Sequence, residues 1–470
     1  MNFSLFFVHF TWLTVAIAIL FPNPTSAATP PKPQNTSSPV KVPDYLNPSP
    51  NPLQFPTKPQ EVRIRGIVPI SLAQALELAR RNNRDLQVAL LQLERSRSAL
   101  RESQAALFPT LGINSSVTNR GNGFTNNSSQ SSTSFSGSAQ LNYDVYNSGN
   151  RQAIIQAAEE QLRVDQLNVE NQSLTISLNT TTQYYNLQQA DEQVRINRAA
   201  VENAQASLRD TQAREQAGVG TRFDVLQAQV NLANAQQELT NAISQQQIAR
   251  RQLATLLSLS ESADISAADP VQIAGLWPQT VEQSIVQAFQ NRPELQQQLA
   301  QRNISEQQRR QALSQLGPQI SLAGNYNLSD RFNDGASITD SYSLGLNGNL
   351  TLFDAGAARA RAAQSRADIA IAESQFGSQR DLIRFDVEQY YSQLQSNLNN
   401  VQTSSVALNQ AREALNLARL RFQAGVGTQT EVISAENDLT RAEGNRVTAI
   451  LDYNRALANL QRSVTSRGSR

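Results

Sequence analysis

Residues Asn150 to Ala217 form a stretch of 68 residues with neither glycine nor proline, and a second such stretch, Ala357 to Ala424, is interrupted only by Gly377. With so little to break them, both predict single α-helices, and at about 1.5 Å per residue each would run roughly 100 Å. A globular domain of ordinary size has no room for such rods. Their apolar residues lie in narrow stripes, Ile154, Ala158, Leu162 and Val169 in one, Leu408, Leu415, Ala418 and Phe422 in the other. This is a coiled-coil-like pattern rather than the broad apolar face of a globular core.

The two stretches are equivalent parts of a duplication. The six residues QAGVGT occur at Gln216–Thr221 and again at Gln423–Thr428. Around them, "SLAQALELARRNNRDL" from Ser71 matches "TVEQSIVQAFQNRPEL" from Thr280, Pro109 matches Pro318, "VYNSGN" matches "LFDAGA", and QYY recurs at Gln183 and Gln389. The order is the same in both copies. Each copy predicts a helix (Leu72 to Leu107; Val281 to Leu316), a Gly/Ser/Asn-rich region, the long rod, the QAGVGT turn and a final helix (Thr221 to about Ala268; Thr428 to about Val464). The first copy is expected over residues 70–268, the second over 280–464, with a linker at 269–279 and a tail at 465–470.

Ahead of the first copy lie two segments of other character. An apolar run from Phe3 to Phe21, followed by Ser26, Ala27 and Ala28, suits a cleavable signal peptide over residues 1–28, with an uncleaved membrane anchor as the rival reading. Thirteen of the 18 prolines precede Ser71, so residues 29–69 are expected to be an extended spacer that buries little.

The Gly/Ser/Asn-rich regions carry strict alternation. Tyr342, Leu344, Leu346, Leu350 and Leu352 share one face of "SYSLGLNGNLTLF", with Ser343, Asn347, Asn349 and Thr351 on the other, and Ile320, Leu322, Tyr326 and Leu328 alternate likewise. The first copy repeats this with Leu111, Ile113 and Val117, then Phe135, Ala139, Leu141, Tyr143 and Val145. Strands are thus expected at about 110–120, 133–146, 319–329 and 341–353, two to a hairpin. A soluble hairpin would lay its apolar face on a core, but aromatics make up only 6% of the chain and offer no such core. With export expected and aromatics at the strand ends, the strands read as outer-membrane strands. Four strands cannot close a barrel in lipid, so the barrel is expected to be shared between subunits.

Chemistry is narrowly bounded. There is no cysteine, the only histidine is His9, and the three lysines (Lys32, Lys41, Lys58) all precede residue 60. Thiolate, imidazole and amine catalysis are therefore closed to the repeats, and no cofactor or metal site is expected. A net charge of +1 without a basic cluster argues against nucleic acid. QAGVGT lacks the lysine of a phosphate loop and follows a helix rather than a strand, so it is not a nucleotide site.

Taken together, this doubled order, "LFDAGAARARAAQSRAD" after the last strand and the segment "RFQAGVGTQTEVISAENDLTRAE" resemble the TolC family of outer-membrane efflux proteins. The resemblance spans Ser71 to about Val464. It implies an α+β membrane protein built as a homotrimer, with a shared 12-stranded β-barrel in outer-membrane lipid continued by a long α-helical coiled-coil barrel in the periplasm. It implies no enzyme but a passive exit duct for a tripartite efflux pump or type I secretion. The partners would be a periplasmic adaptor, the membrane fusion protein, and an inner-membrane transporter of RND or ABC type. A periplasmic coiled-coil scaffold that forms no channel is the alternative.

In local terms QAGVGT is a helical-hairpin tip. Gly218 and Gly425 suit the left-handed residue that ends a helix, Arg214 and Arg421 complement its carbonyl end, and Thr221 and Thr428 can cap the next helix together with Asp224 and Glu431. The resemblance adds that both tips (Gly218, Val219, Gly220, Thr221; Gly425, Val426, Gly427, Thr428) face the periplasm, where the adaptor docks. It places Glu431 at an aperture acid, Asp224 as its first-copy equivalent, and Ser434 where related channels carry a second acid. Gly149 and Gly356 are expected where β-barrel becomes α-barrel, and Tyr184, Tyr185, Tyr390 and Tyr391 in packing between helices.

Overall fold

Helix caps and breakers partition each copy. The computed structural model describes residues 46–49, 51, 53–64, 66–121, 131–332 and 337–464, all within one compact unit, Val42–Arg470. The expected signal peptide, residues 29–45, 50, 52 and 65 of the expected spacer, the hairpin residues 122–130 and 333–336, and the tail 465–470 lie outside the described residues.

The chain enters through strand β1 (Ile67–Ile70) and helix α1 (Leu72–Asn82), which opens with a capping box between Ser71 and Gln74. The helix expected to run unbroken to Leu107 stops there and resumes as α2 (Arg84–Ala105). Asn83 makes the break: its backbone is extended (φ −62°, ψ 126°) and its side chain accepts from the N–H groups of Asp85 and Leu86 as a new N-cap. The second copy breaks at the same place for a different reason. Helix α5 (Val281–Asn291) gives way to α6 (Pro293–Ser314) because Pro293 forces Arg292 out of the helical region, to φ −69° and ψ 120°.

The four long strands form one antiparallel sheet: β2 (Thr110–Gly121), β3 (Ser131–Tyr146), β5 (Gln319–Phe332) and β6 (Thr339–Asn349), side by side in that order. Register fixes the faces, since residues directly opposite share a side. Leu111 faces Leu141, Val117 faces Phe135, and Tyr326 faces both Ala139 and Tyr342, which collects the apolar residues on one side. Ser116 faces Ser136 on the other, their hydroxyls 2.8 Å apart. The strand expected at 341–353 ends at Asn349, because Gln319, its partner, begins β5 and leaves residues 350–353 nothing in this chain to pair with.

From the sheet each copy turns into its rod, α3 (Asn150–Gln216) and α7 (Ala357–Gln423), 67 residues apiece. Gly149 and Gly356, both at φ 85°, stand at the N-caps, preceded by Ser148 and Ala355 in the left-handed region at φ 53°. The return helices are α4 (Arg222–Leu256) and α8 (Gln429–Val464). Helix α4 stops short of the expected Ala268: the chain leaves it for strand β4 (Asp264–Ala267), which pairs in parallel with β1, Ile67 opposite Asp264.

Two apolar clusters lie where the broken helices pack on the rods. One gathers Leu78, Ile176, Tyr184, Leu253, Leu257 and Ile265; the other gathers Ile383, Val387, Tyr453, Leu457 and Leu460, with Tyr390 and Tyr391 packed against it. Tyr184 does more than fill space: its hydroxyl donates toward the Ile70 carbonyl and the Asp269 carboxylate at 3.0 and 2.8 Å. The expected spacer also contributes, since Leu46 is fully buried and its carbonyl accepts from Ser260. The expected linker is tied down as well, with the Gly275 carbonyl accepting from Tyr453 and the Ala274 N–H donating to Asn454.

Candidate functional site

Each rod turns back on itself through the same four backbone bonds. In the first copy, the N–H groups of Val219 and Gly220 both donate to the Arg214 carbonyl, Gly218 donates to Glu215, and Ala217 to Ala213. In the second, Val426 and Gly427 donate to Arg421, Gly425 to Phe422, and Ala424 to Leu420. These bonds satisfy carbonyls that a helix end leaves orphaned. Gly218 and Gly425 sit at φ 71° and 73°, where a Cβ is strained. Gly220 and Gly427 are tight for space instead: a Cβ would stand 3.0 Å from the Glu215 and Phe422 backbone nitrogens, respectively.

The return helices start on reciprocal caps. Thr221 accepts from the Asp224 N–H, and the Asp224 carboxylate accepts from the Thr221 N–H at 3.1 Å and its hydroxyl at 2.6 Å. Thr428 and Glu431 exchange the equivalent bonds at 3.2 and 3.5 Å. The longer Glu431 side chain also reaches Arg421, 3.8 Å away and exposed. Asp224 is thus held close by its cap, whereas Glu431 caps more loosely and shares its charge with Arg421. Ser434 is exposed on the next turn of α8. Among the described residues no hydrogen bond or ion pair joins Asp224 to Glu431.

What binds one tip to the other are residues that the repeated motif does not single out. Arg214 reaches across to the Phe422 carbonyl at 3.0 Å, with its guanidinium 4.5 Å from the Phe422 ring centroid. Gln429 is buried and donates to Ser207 at 2.7 Å, and Thr430 donates to Gln227. One turn deeper, Arg419 joins Glu436 at 3.0 Å and Asn203 at 3.0 Å. Glu436 is 6% exposed and one of its oxygens has no hydrogen-bond partner. Burial, helped by the Asp210 charge, pushes its carboxyl above the ordinary range, against the pull of Arg419. No sequence signal marks these contacts, because each joins helices about 200 residues apart, apart from the local Arg419–Glu436 pair.

Beyond the caps the tips present apolar side chains to solvent. Val219 is 68% and Val426 70% exposed, and the first tip adds Phe223 at 70% with Leu226 and Val230 following it along α4. Patches like these mark contact surfaces more often than chance exposure.

Comparison with known proteins agrees with this architecture. The sequence profile of the family described as "Outer membrane efflux protein" matches residues 75–258 and 284–465. The chain is 26% identical over 406 residues to the pyoverdine export outer membrane protein OpmQ of Pseudomonas aeruginosa, covering 84% of this chain and 83% of that protein. The OpmQ of Pseudomonas putida is 25% identical over 392 residues, covering 79% and 81%. Among solved structures, the outer-membrane channel OprN superposes with a TM-score of 0.73 at 20% identity, over 90% of this chain and 97% of that one. VceC of Vibrio cholerae superposes with a TM-score of 0.71 at 19% identity, over 84% and 96%. With both repeats matched and the whole fold shared, this chain belongs to the outer membrane efflux protein family.

Proposed function

We propose that three copies of the chain form a passive exit duct of a tripartite efflux pump, with the sheets closing a 12-stranded barrel and the helical hairpins a periplasmic tunnel. A periplasmic adaptor opens it at the tips, and an inner-membrane transporter supplies the energy. The observation that carries this reading is the sheet: one face apolar, one face polar, both edges open. Ile113 is 76% and Leu346 69% exposed on the apolar face, which water would not tolerate and lipid would welcome. A soluble scaffold has no use for such a face.

The duplication supports a definite way of closing the barrel. Inside one chain, β3 of the first copy pairs with β5 of the second, Tyr143 opposite Leu322 and Tyr146 opposite Ile320. Their counterparts by the repeat are Leu350 opposite Ile113, and Phe353 opposite Leu111, on a neighbouring chain. Residues 350–353 then gain the partners that a single chain denies them. The hairpin tips gather at the far end of the tunnel, where Glu431 contributes the exposed acid and Asp224 holds its helix. Val219, Val426 and Phe223 offer the adaptor an apolar seat.

Conductance decides between duct and scaffold. The purified oligomer, inserted into a planar bilayer, is expected to give discrete ion-conducting steps. An oligomer that enters lipid yet never conducts would exclude the duct.

A further inference from the structure

We infer that neighbouring chains lock together through an apolar seam, in which helix α7 of one chain lies on α2 and α4 of the next in the register that α3 keeps on α6 and α8. The seam rests on the trimer of the proposed duct and names the surfaces that join its helices. The duplication supplies the template. Within one chain, α3 of the first copy packs against α6 and α8 of the second. The same joint between chains sets α7, the counterpart of α3, against the first-copy helices α2 and α4 of its neighbour.

On α6, Gln296, Ala300 and Asn303 share one face, and α3 meets it with Arg163, 3.3 Å from Gln296, and Glu160, 3.1 Å from Asn303. Ala300, between them, is 1% exposed. Aligning the copies on Leu86 with Leu295 and on Gln216 with Gln423 gives the counterparts, Gln87, Leu91 and Glu94 on α2 and Ala367 and Ala370 on α7. The order of large and small is therefore inverted: an alanine facing two long polar side chains becomes a leucine facing two alanines. Leu91 is 69% exposed in the single chain, and Ala367, Ala370 and Ile371 are exposed as well. An open leucine on one surface and a shallow seat at the matching place on the other fit as knob and hole.

Farther along the rods the joint changes in the same direction. Arg455 and Arg462 of α8 bind Gln189 and Asn171, which lie about five turns apart on one face of α3. The counterparts are Ile248 and Thr255 on α4, with Ser396 and Ser378 on α7. Between the two serines, on the same face, Leu178 is replaced by Phe385, which is exposed. Ile248 and Thr255, shorter than the arginines, line an open groove of about 890 Å³ on α3 and α4. Both arginines of the template are gone from the seam, and an aromatic ring takes up the space they leave.

The test uses the full-length trimer in detergent and the chain's lack of any native thiol. In the single chain Leu91 is more exposed than Leu90, which is 48% exposed. In the trimer Leu91→Cys should nevertheless react with a maleimide at least about tenfold more slowly than Leu90→Cys, since burial withholds a thiol from the reagent. On mild oxidation Leu91→Cys with Ala370→Cys should give covalent trimers in denaturing gels. Leu90→Cys with Ala370→Cys should not, because successive residues of a helix point about 100° apart. A trimer in which the Leu91→Cys and Leu90→Cys thiols react equally fast, or in which the two pairs cross-link alike, would overturn the seam and leave the duct standing. A chain that is not trimeric by native mass would overturn the duct and the seam with it.

Discussion

Two glycines per tip do different jobs, and they fail differently. Gly425 occupies a left-handed conformation with open space around it, so an alanine there is penalised by backbone strain alone, about 1 kcal/mol. Gly425→Ala should therefore leave the tip formed but looser. The amides of Val426 and Gly427, both bound to the Arg421 carbonyl, are expected to exchange with deuterium about fivefold faster, because local opening becomes easier by that amount. Gly427→Ala acts instead through crowding, its Cβ 3.0 Å from the Phe422 nitrogen, so that the turn has to give by a few tenths of an ångström. The left-handed role was legible in the sequence, since a glycine followed by a capping threonine and an acid three residues later announces a helix end and a new start. The close approach was not, because it depends on where the preceding turn lies.

At the scale of elements, the second hairpin is pinned near its tip by the ion pair of Arg419 with Glu436, whose acid is buried and uncomfortable. The Glu436 carboxyl is raised above its usual 4.5 by burial first and by Asp210, while Arg419 resists. An acid whose folded value exceeds its unfolded one stabilises the fold when protonated. Stability from this group is therefore full below the unfolded value and declines as pH rises through the folded one. Thermal unfolding followed from acidic to neutral pH should show that decline, and Glu436→Gln should flatten it; a wild type as flat as the variant would mean that burial does not penalise Glu436. The rods and the hairpin strands could be anticipated because unbroken runs and strict alternation are local signals. The break at Arg292 had its signal in Pro293, which bars the residue before it from the helix. The break at Asn83 rests on a side chain turning back to cap Asp85 and Leu86, and the docking of Leu46 on a tertiary contact that composition cannot announce.

For the whole assembly, the chain's lack of cysteine is an experimental opportunity, since any introduced thiol is the only one present. If β3 and β5 are the template for the joint between copies, Leu350→Cys combined with Ile113→Cys should cross-link neighbouring chains on mild oxidation and give covalent trimers in denaturing gels. Leu350→Cys with Asn114→Cys places the thiols on opposite faces and should not, because a shift of one residue inverts the side. Trimers from the second pair rather than the first would refute the register.

The parallel pair β1–β4 also gives the molecule an order in time. Ile67 can meet Asp264 only after the whole first copy has been made, and the Leu72 N–H then binds the Asp269 carboxylate across 197 residues of chain. A chain growing from its N-terminus can thus close its first half into a loop before any residue of β5 exists. Through that interval β3 waits with one edge bare, and the hazard of mispairing lasts as long as the second half takes to arrive.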